Sequence, residues 1–479
     1  MKKEDLFESL SEIDENEVFK AGSYQVKSAP QRGWLKWAAL AACAVIAIAV
    51  GIFMFSHKGK KNDDGYPDGV TKVMALYPEP LSVYSSYEDY VQSPEYASWR
   101  SNMREKIKNS TLINNRIYDY YLSLMGYMLE AEDENTVCSP LNAYIAFSVL
   151  AEVSAGNSRE QILKALGVED ISELRSNIKT LWESNYADTP SVKSILANSL
   201  WLKKGYPVNN DELDILTKEY YTSFFEGDPT SKDMNEALKV WTDKNTGGLL
   251  KKHIDNLELD PTMVFTIMST IYFEADWVKQ FLTTDTEKET FHGTQGDTEV
   301  DMMHRENQIM HAYVSDNFTE VRLGLAESGS MIFYLPKEGV DVNELLKDPD
   351  IINTLIYDYE DEKNVTAKVN LSIPKFSVSK KNDLIETMEK LGMTDVLTNA
   401  DFSSLIKNPE GIGVDSATQA AMVEIDEKGV KGAAFTEIST AESEPCADGI
   451  IDFVLDRPFM FMITGSDGSV LFAGIVRNI

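Results

Sequence analysis

Cysteine is nearly absent from this chain: 479 residues hold three, Cys43, Cys138 and Cys446. An odd, sparse set cannot make a disulfide framework, and Cys43 lies inside an apolar run, so only one pair is left and no structural bridge is expected. Histidine is almost as scarce. His57, His253, His292, His304 and His311 stand in neither a nucleophile-elbow nor an HExxH setting. His304 and His311, two helical turns apart, read as surface residues and not as a metal pair. No glycine-rich phosphate loop is present. These gaps argue against an enzyme, and no metal or cofactor is expected. Basic clusters with interleaved aromatics are missing too. With 77 acidic against 45 basic residues the formal charge is −32, which repels a phosphate backbone, so nucleic acid is not an expected partner. What is plentiful is apolar: 43% hydrophobic and 10% aromatic residues suffice for a sizeable core.

The longest apolar run is Trp37 to Phe55, WAALAACAVIAIAVGIFMF, 19 residues without a charge. At 1.5 Å rise per residue it nearly matches a hydrocarbon layer of ~30 Å. Trp34 and Trp37 mark one boundary. Lys27, Arg32 and Lys36 precede the run and Lys58, Lys60 and Lys61 follow it. A cleaved signal peptide is the rival reading, because Ala47-Ile48-Ala49 has the small residues of a cleavage site. Against that reading, 33 residues precede Trp34 and the run continues beyond the site. The balanced flanks leave orientation open on charge alone. Residues 1–36 carry Leu6, Phe7, Leu10 and Ile13 at helical spacing and read as a short leader. Residues 56–105 scatter Pro67, Pro78, Pro80 and Pro94 among tyrosines and read as an extended stalk.

From residue 106 to 479 the pattern becomes dense. Ser139-Pro140 opens a helix, with serine as cap and proline at the first position; Leu141, Ile145, Phe147, Val149 and Leu150 fill it and Gly156 ends it. Ser158 and Gln161 read as a capping box of a second helix, stopped by Gly167. Val369, Leu371 and Ile373 alternate as a strand. Phe459–Ile463 and Val470–Ala473 are apolar runs joined by Gly465, Asp467 and Gly468, a hairpin signal. Helices early and strands late imply an α+β domain with large antiparallel sheets.

Over about 370 residues the chain resembles the serpin family. Cys138-Ser-Pro-Leu-Asn-Ala-Tyr-Ile-Ala-Phe through Gly156 to Leu166-Gly167 is similar to the family's signature around its second helix. Ala197-Asn-Ser-Leu-Trp-Leu resembles a central strand of its main sheet. Ile271-Tyr-Phe, Trp277, Phe281, Phe291, Val300, Met302, Met303, Ile373-Pro-Lys-Phe, Leu391-Gly-Met, Ala400-Asp-Phe-Ser and Asp456-Arg-Pro-Phe to Leu471-Phe-Ala-Gly follow in the family's order. The resemblance implies three β-sheets, about eight or nine helices and an exposed reactive-centre loop. Behind one transmembrane helix, it implies a membrane-anchored inhibitory type of the kind bacteria carry. The expected product is an extracellular, monomeric serine-protease inhibitor, with residues 1–36 cytoplasmic and residues 37–55 in the lipid bilayer. A serpin-fold binding or adhesion module without inhibitory action is the alternative.

The loop itself runs from Val423 to Pro458. Val423-Glu-Ile-Asp-Glu-Lys-Gly resembles the strand and hinge that launch the family's bait loop, with Glu427 and Gly429 in the hinge, and Gly432-Ala433-Ala434 resembles its small residues. A strand that inserts sends alternate side chains inward. The even-numbered Val430, Gly432, Ala434, Thr436, Ile438 and Thr440 are all uncharged, whereas Lys431, Ala433, Phe435, Glu437, Ser439 and Ala441 hold every charge in the span. No proline falls between Gly429 and Glu444. The family's hinge length reaches Ser443, followed by Glu444; counting back from Pro458 reaches Ala447. The cut bond is expected within Ser443–Ala447. Small residues there point to an elastase- or subtilisin-like protease. Cys446 is bait, a redox-sensitive thiol or a bystander. Ser139, Asn142, Ser269 and Gln419 occupy the family's shutter positions beneath the main sheet. Gln419 stands where a histidine is usual and Ser269 where an asparagine is; both replacements are polar and able to bond each other.

Overall fold

The computed structural model describes residues 65–78, 87–189, 192–247, 257–356, 362–407, 413–414, 416–430 and 449–479. Contacts divide the chain into Met1–Gly65 and Tyr66–Ile479, and the fold below is that of the second unit. Residues 1–36, the apolar run 37–55 and the bait-loop residues 431–448 lie outside the described residues. Among the described residues no helix is long and apolar enough to cross a membrane.

Proline near the start of a helix costs nothing, because the first N–H groups have no partner anyway. The helix Pro94–Leu129 uses this: Ser93 Oγ accepts from Tyr96 N at 3.0 Å, and Ile113, Ile117, Tyr121, Leu124 and Met128 bury one face. Residue 106 lies within it. Ten α-helices are described, against the eight or nine expected.

Two local readings are corrected. Ser139 does not cap the helix Pro140–Val153; its hydroxyl donates instead to the Leu471 carbonyl at 2.5 Å. All 14 residues of that helix are buried, so the hydroxyl finds its partner across the core. The next helix starts at Gly156, whose φ of 51° suits glycine. Ser158 and Gln161 therefore sit inside the helix and form no capping box. Gln161 Oε1 accepts from Thr394 N and Asp395 N and pins a distant segment. Gly167, at φ 71°, does follow the helix end as expected.

Strand ladders form two sheets among the described residues, where three are expected. The 19-residue strand Gly296–Val314 is the reason. One part pairs with Thr286–Gly293 and Asn364–Pro374 and its far end with Phe318–Gly324, fusing two sheets into one of nine strands. The expected hairpin is there, Phe459–Thr464 antiparallel to Val470–Val476. The main sheet has eight strands. Its order is Thr71–Val73, Thr222–Gly227, Val192–Lys203, Phe265–Asp276, Gly429–Val430, Ala417–Ile425 and Phe376–Asp383, with Ala187–Asp188 against Val192–Lys203.

Part of the segment read as a stalk belongs to this sheet. Thr71–Val73 pair antiparallel with Phe224–Glu226 and cover an edge that would otherwise present free N–H and C=O groups. Tyr66 and Val70 pack with Trp201, Phe225, Leu238 and Trp241 in a second core cluster.

Candidate functional site

The site forms where, among the described residues, two strands of the main sheet pair directly at one end only. Phe265–Asp276 and Ala417–Ile425 run parallel and meet at Ala417–Gln419 against Ile267–Ser269. At the other end the chain turns back. Asp426 makes the turn, its carboxylate accepting from Lys428 N at 2.8 Å and Gly429 N at 3.3 Å, while Asp426 N donates to Gly429 O. Aspartate at the head of such a turn and glycine at its foot is a readable signal. Gly429 and Val430 then sit between the two strands, with Gly429 opposite Asp276, Val430 opposite Ala275, and Val430 also opposite Ile425. Val430, Ala275 and Ile425 are each no more than 2% exposed, so Val430 faces the core.

Gly429 has to be small. A Cβ there would lie 2.3 Å from the Ala275 carbonyl oxygen. The turn is held from outside by Trp277, whose ring N–H donates to Asp426 O and whose backbone N–H donates to Lys428 O, and by Phe281 N donating to Glu427 O. Glu427 is nearly buried and paired: its carboxylate accepts from Thr286 Oγ1 at 3.0 Å and lies 3.2 Å from Lys375 Nζ. Burial alone would push its pKa up. Its own backbone N–H, Thr286 and Lys375 outweigh that and hold the carboxyl below its ordinary value. The sequence reading passed Trp277 and Lys375 only as family-like positions and did not name Thr286; their roles at the hinge escaped it because each acts across a long sequence separation.

The four shutter positions come together. Gln419 and Ser139 exchange two bonds, Ser139 N donating to Gln419 Oε1 and Gln419 Nε2 donating to Ser139 O, both at 2.8 Å. Ser269 Oγ donates to Asn198 Oδ1 at 2.7 Å and more weakly to Asn142 O at 3.4 Å. Gln419 and Ser269 are register partners, yet they do not bond each other as expected, since each finds a firmer partner on another element. Both side-chain atoms of Asn142 are buried without a hydrogen-bond partner. Asn198, in the Ala197-Asn-Ser segment, belongs with this group and was not singled out.

Gly432, Ala433, Ala434, Thr436, Ile438, Ser443, Glu444, Cys446 and Ala447 lie outside the described residues. The chain resumes at Gly449, and Ile450–Val454 pair parallel with Lys368–Ser372. Cys138 is a buried free thiol whose pKa burial pushes up. Among the described residues no group of three or more His, Cys, Asp or Glu is placed to hold a metal ion.

Fold and site together define a class: an α+β protein whose main sheet holds Gly429–Val430 between two strands that pair directly only at their other end. A sequence model of the serpin family, described as serine protease inhibitor, matches residues 117–479. The chain belongs to the serpin family. Among curated relatives, an uncharacterized serpin-like protein of Thermococcus kodakarensis is 27% identical over 76% of this chain and 84% of its own length. Human neuroserpin is 25% identical over 72% and 87%. The native-state structure of tengpin, a thermophilic serpin, shares the fold with a TM-score of 0.67 at 22% identity, over 85% of this chain and 100% of its own.

Proposed function

We propose that this chain inhibits serine-type proteases: the protease cuts the bait loop, stays bound to it as an acyl-enzyme, and is carried along as the loop enters the main sheet. The supporting observation is a coincidence of registers. Continuing the ladder from Val430 and Ala275 sets Gly432 opposite Phe273, Ala434 opposite Ile271, Thr436 opposite Ser269 and Ile438 opposite Ile267. Continuing it from Val430 and Ile425 sets the same four residues opposite Val423, Ala421, Gln419 and Ala417. Ser269 and Gln419, Ile267 and Ala417 are partners of each other now. An entering strand thus meets both sides in matched register with no slip, and its even-numbered, uncharged residues continue the inward face that Val430 begins.

The energetics are sufficient. The entering residues 431–440 would gain on the order of a dozen ladder bonds, at ~1 kcal/mol net each. A sum near ~10 kcal/mol matches the stability of a whole domain, enough to distort an attached protease. The loop's small residues between Thr440 and Ala447 favour a protease with a small side-chain pocket, elastase- or subtilisin-like. The run 37–55 anchors the domain outside the cell. Mixing the chain with such a protease and running a denaturing gel tests the reading. A covalent band of summed mass is expected; clean cleavage without that band contradicts it.

A further inference from the structure

Arg305 stands out in a chain of net charge −32 because, among the described residues, no carboxylate pairs with it. Its Nη1 donates to the Lys279 carbonyl at 2.5 Å, its carbon lies 4.2 Å above the Phe281 ring, and its Nε is buried without a partner. Burial pushes its pKa down to about 10. Beside it, Lys279 Nζ is exposed and donates to the neutral Gln308 Oε1 at 2.6 Å. Val278, Lys279, Arg305, Gln308, Arg322 and Leu371 line a cleft of about 210 Å³. Among the described residues, Arg322 is the one of these cations paired with a carboxylate, that of Glu320 at 3.3 Å.

The cleft lies between the two feet of the bait loop. Val278 and Lys279 sit in the segment whose Trp277 and Phe281 hold the hinge carbonyls. On the other side Arg305 is opposite Leu371, and Leu371 is opposite Phe453 in the strand that follows the loop. Two ladder steps put Arg305 about 10 Å from that strand. Three large apolar residues in these segments stand open to solvent: Val278 at 60%, Leu282 at 63% and Ile450 at 68%. Open apolar residues around an arginine are the composition of a protein interface. The volume falls below the ~300–1,000 Å³ of small-molecule pockets, and suits one side chain of a docked protein.

We propose that this cleft receives an acidic side chain of the protease that engages the bait loop, a second contact that speeds docking. The proposal rests on the inhibitory reading. It is tested by binding of the full-length chain to a subtilisin whose catalytic serine is replaced by alanine, so that docking is read without trapping, at low and at physiological salt. Arg305→Gln and Lys279→Gln are each expected to weaken binding about tenfold. Wild-type binding is expected to fall with salt, and Arg305→Lys to retain part of it. Should Arg305→Gln melt below wild type, the exposed Lys279 carries the comparison. Absent wild-type binding, or equal binding by both glutamine variants at both salts, overturns the cleft. A missing covalent band between wild type and active subtilisin instead sinks the inhibitory reading, which keeps the two failures apart.

Discussion

At the residue scale, one seated side chain anchors the account. Val430 is packed between Ala275 and Ile425, and a charge there would have to enter the core unpaired. Val430→Glu is therefore expected to convert the protein from trap to substrate, with the loop cut at an unchanged or higher rate and the covalent band lost on a denaturing gel. Gly429→Ala is expected to destabilise the uncut protein by about 1–3 kcal/mol in a denaturant melt, because its methyl group would strike a backbone oxygen. A separate titration sits under the helix Asn210–Glu219. Glu212 is buried beside Glu152, which is bound to Arg175 at 2.7 Å and Tyr220 Oη at 2.5 Å. Burial first, then Glu152, pushes Glu212 up to about 7. The folded form thus holds this proton more tightly than the unfolded one. Its contribution is complete below the ordinary carboxyl value and is lost as pH rises through about 7. Glu212→Gln is expected to raise Tm by a few degrees at pH 8 and to gain nothing at pH 5, read by thermal melts across that range.

At the element scale, legibility follows locality. The closing hairpin was readable because alternation and turn residues lie within twenty positions of each other. Ser139 and Ser158 were misread because their hydroxyls leave the helices they appear to start, Ser139 for Leu471 and Ser158 Oγ for Asp401 N at 3.1 Å. Nothing local records such a partner. The edge strand Thr71–Val73 was hidden by the prolines around it, and its partner lies some 150 residues on. Its packing makes a prediction. Tyr66 rests 5.5 Å from Phe225 and beneath Lys72 and Lys244, so Tyr66→Ala should cost about 3–5 kcal/mol, the range for aromatic truncation in a core. Urea unfolding measures it; a loss under 1 kcal/mol would mean the segment is not part of the folded unit.

At the scale of the whole molecule, charge placement alone gives an expected inward parity for residues 430–440. The arrangement of the main sheet around Gly429 and Val430 could not be read that way. It depends on a parallel pairing between residues 150 positions apart and on a hinge that folds back between them. Both had to be seen before the three registers could be found to agree. On the proposed mechanism, that agreement is what lets the loop add a strand to the main sheet. The direct test is to nick the loop between Ser443 and Ala447 and compare melting temperatures. A gain of ~10 kcal/mol implies a rise of about 12 °C in the nicked form. An unchanged melting temperature would mean that no strand enters the sheet, and would contradict the account.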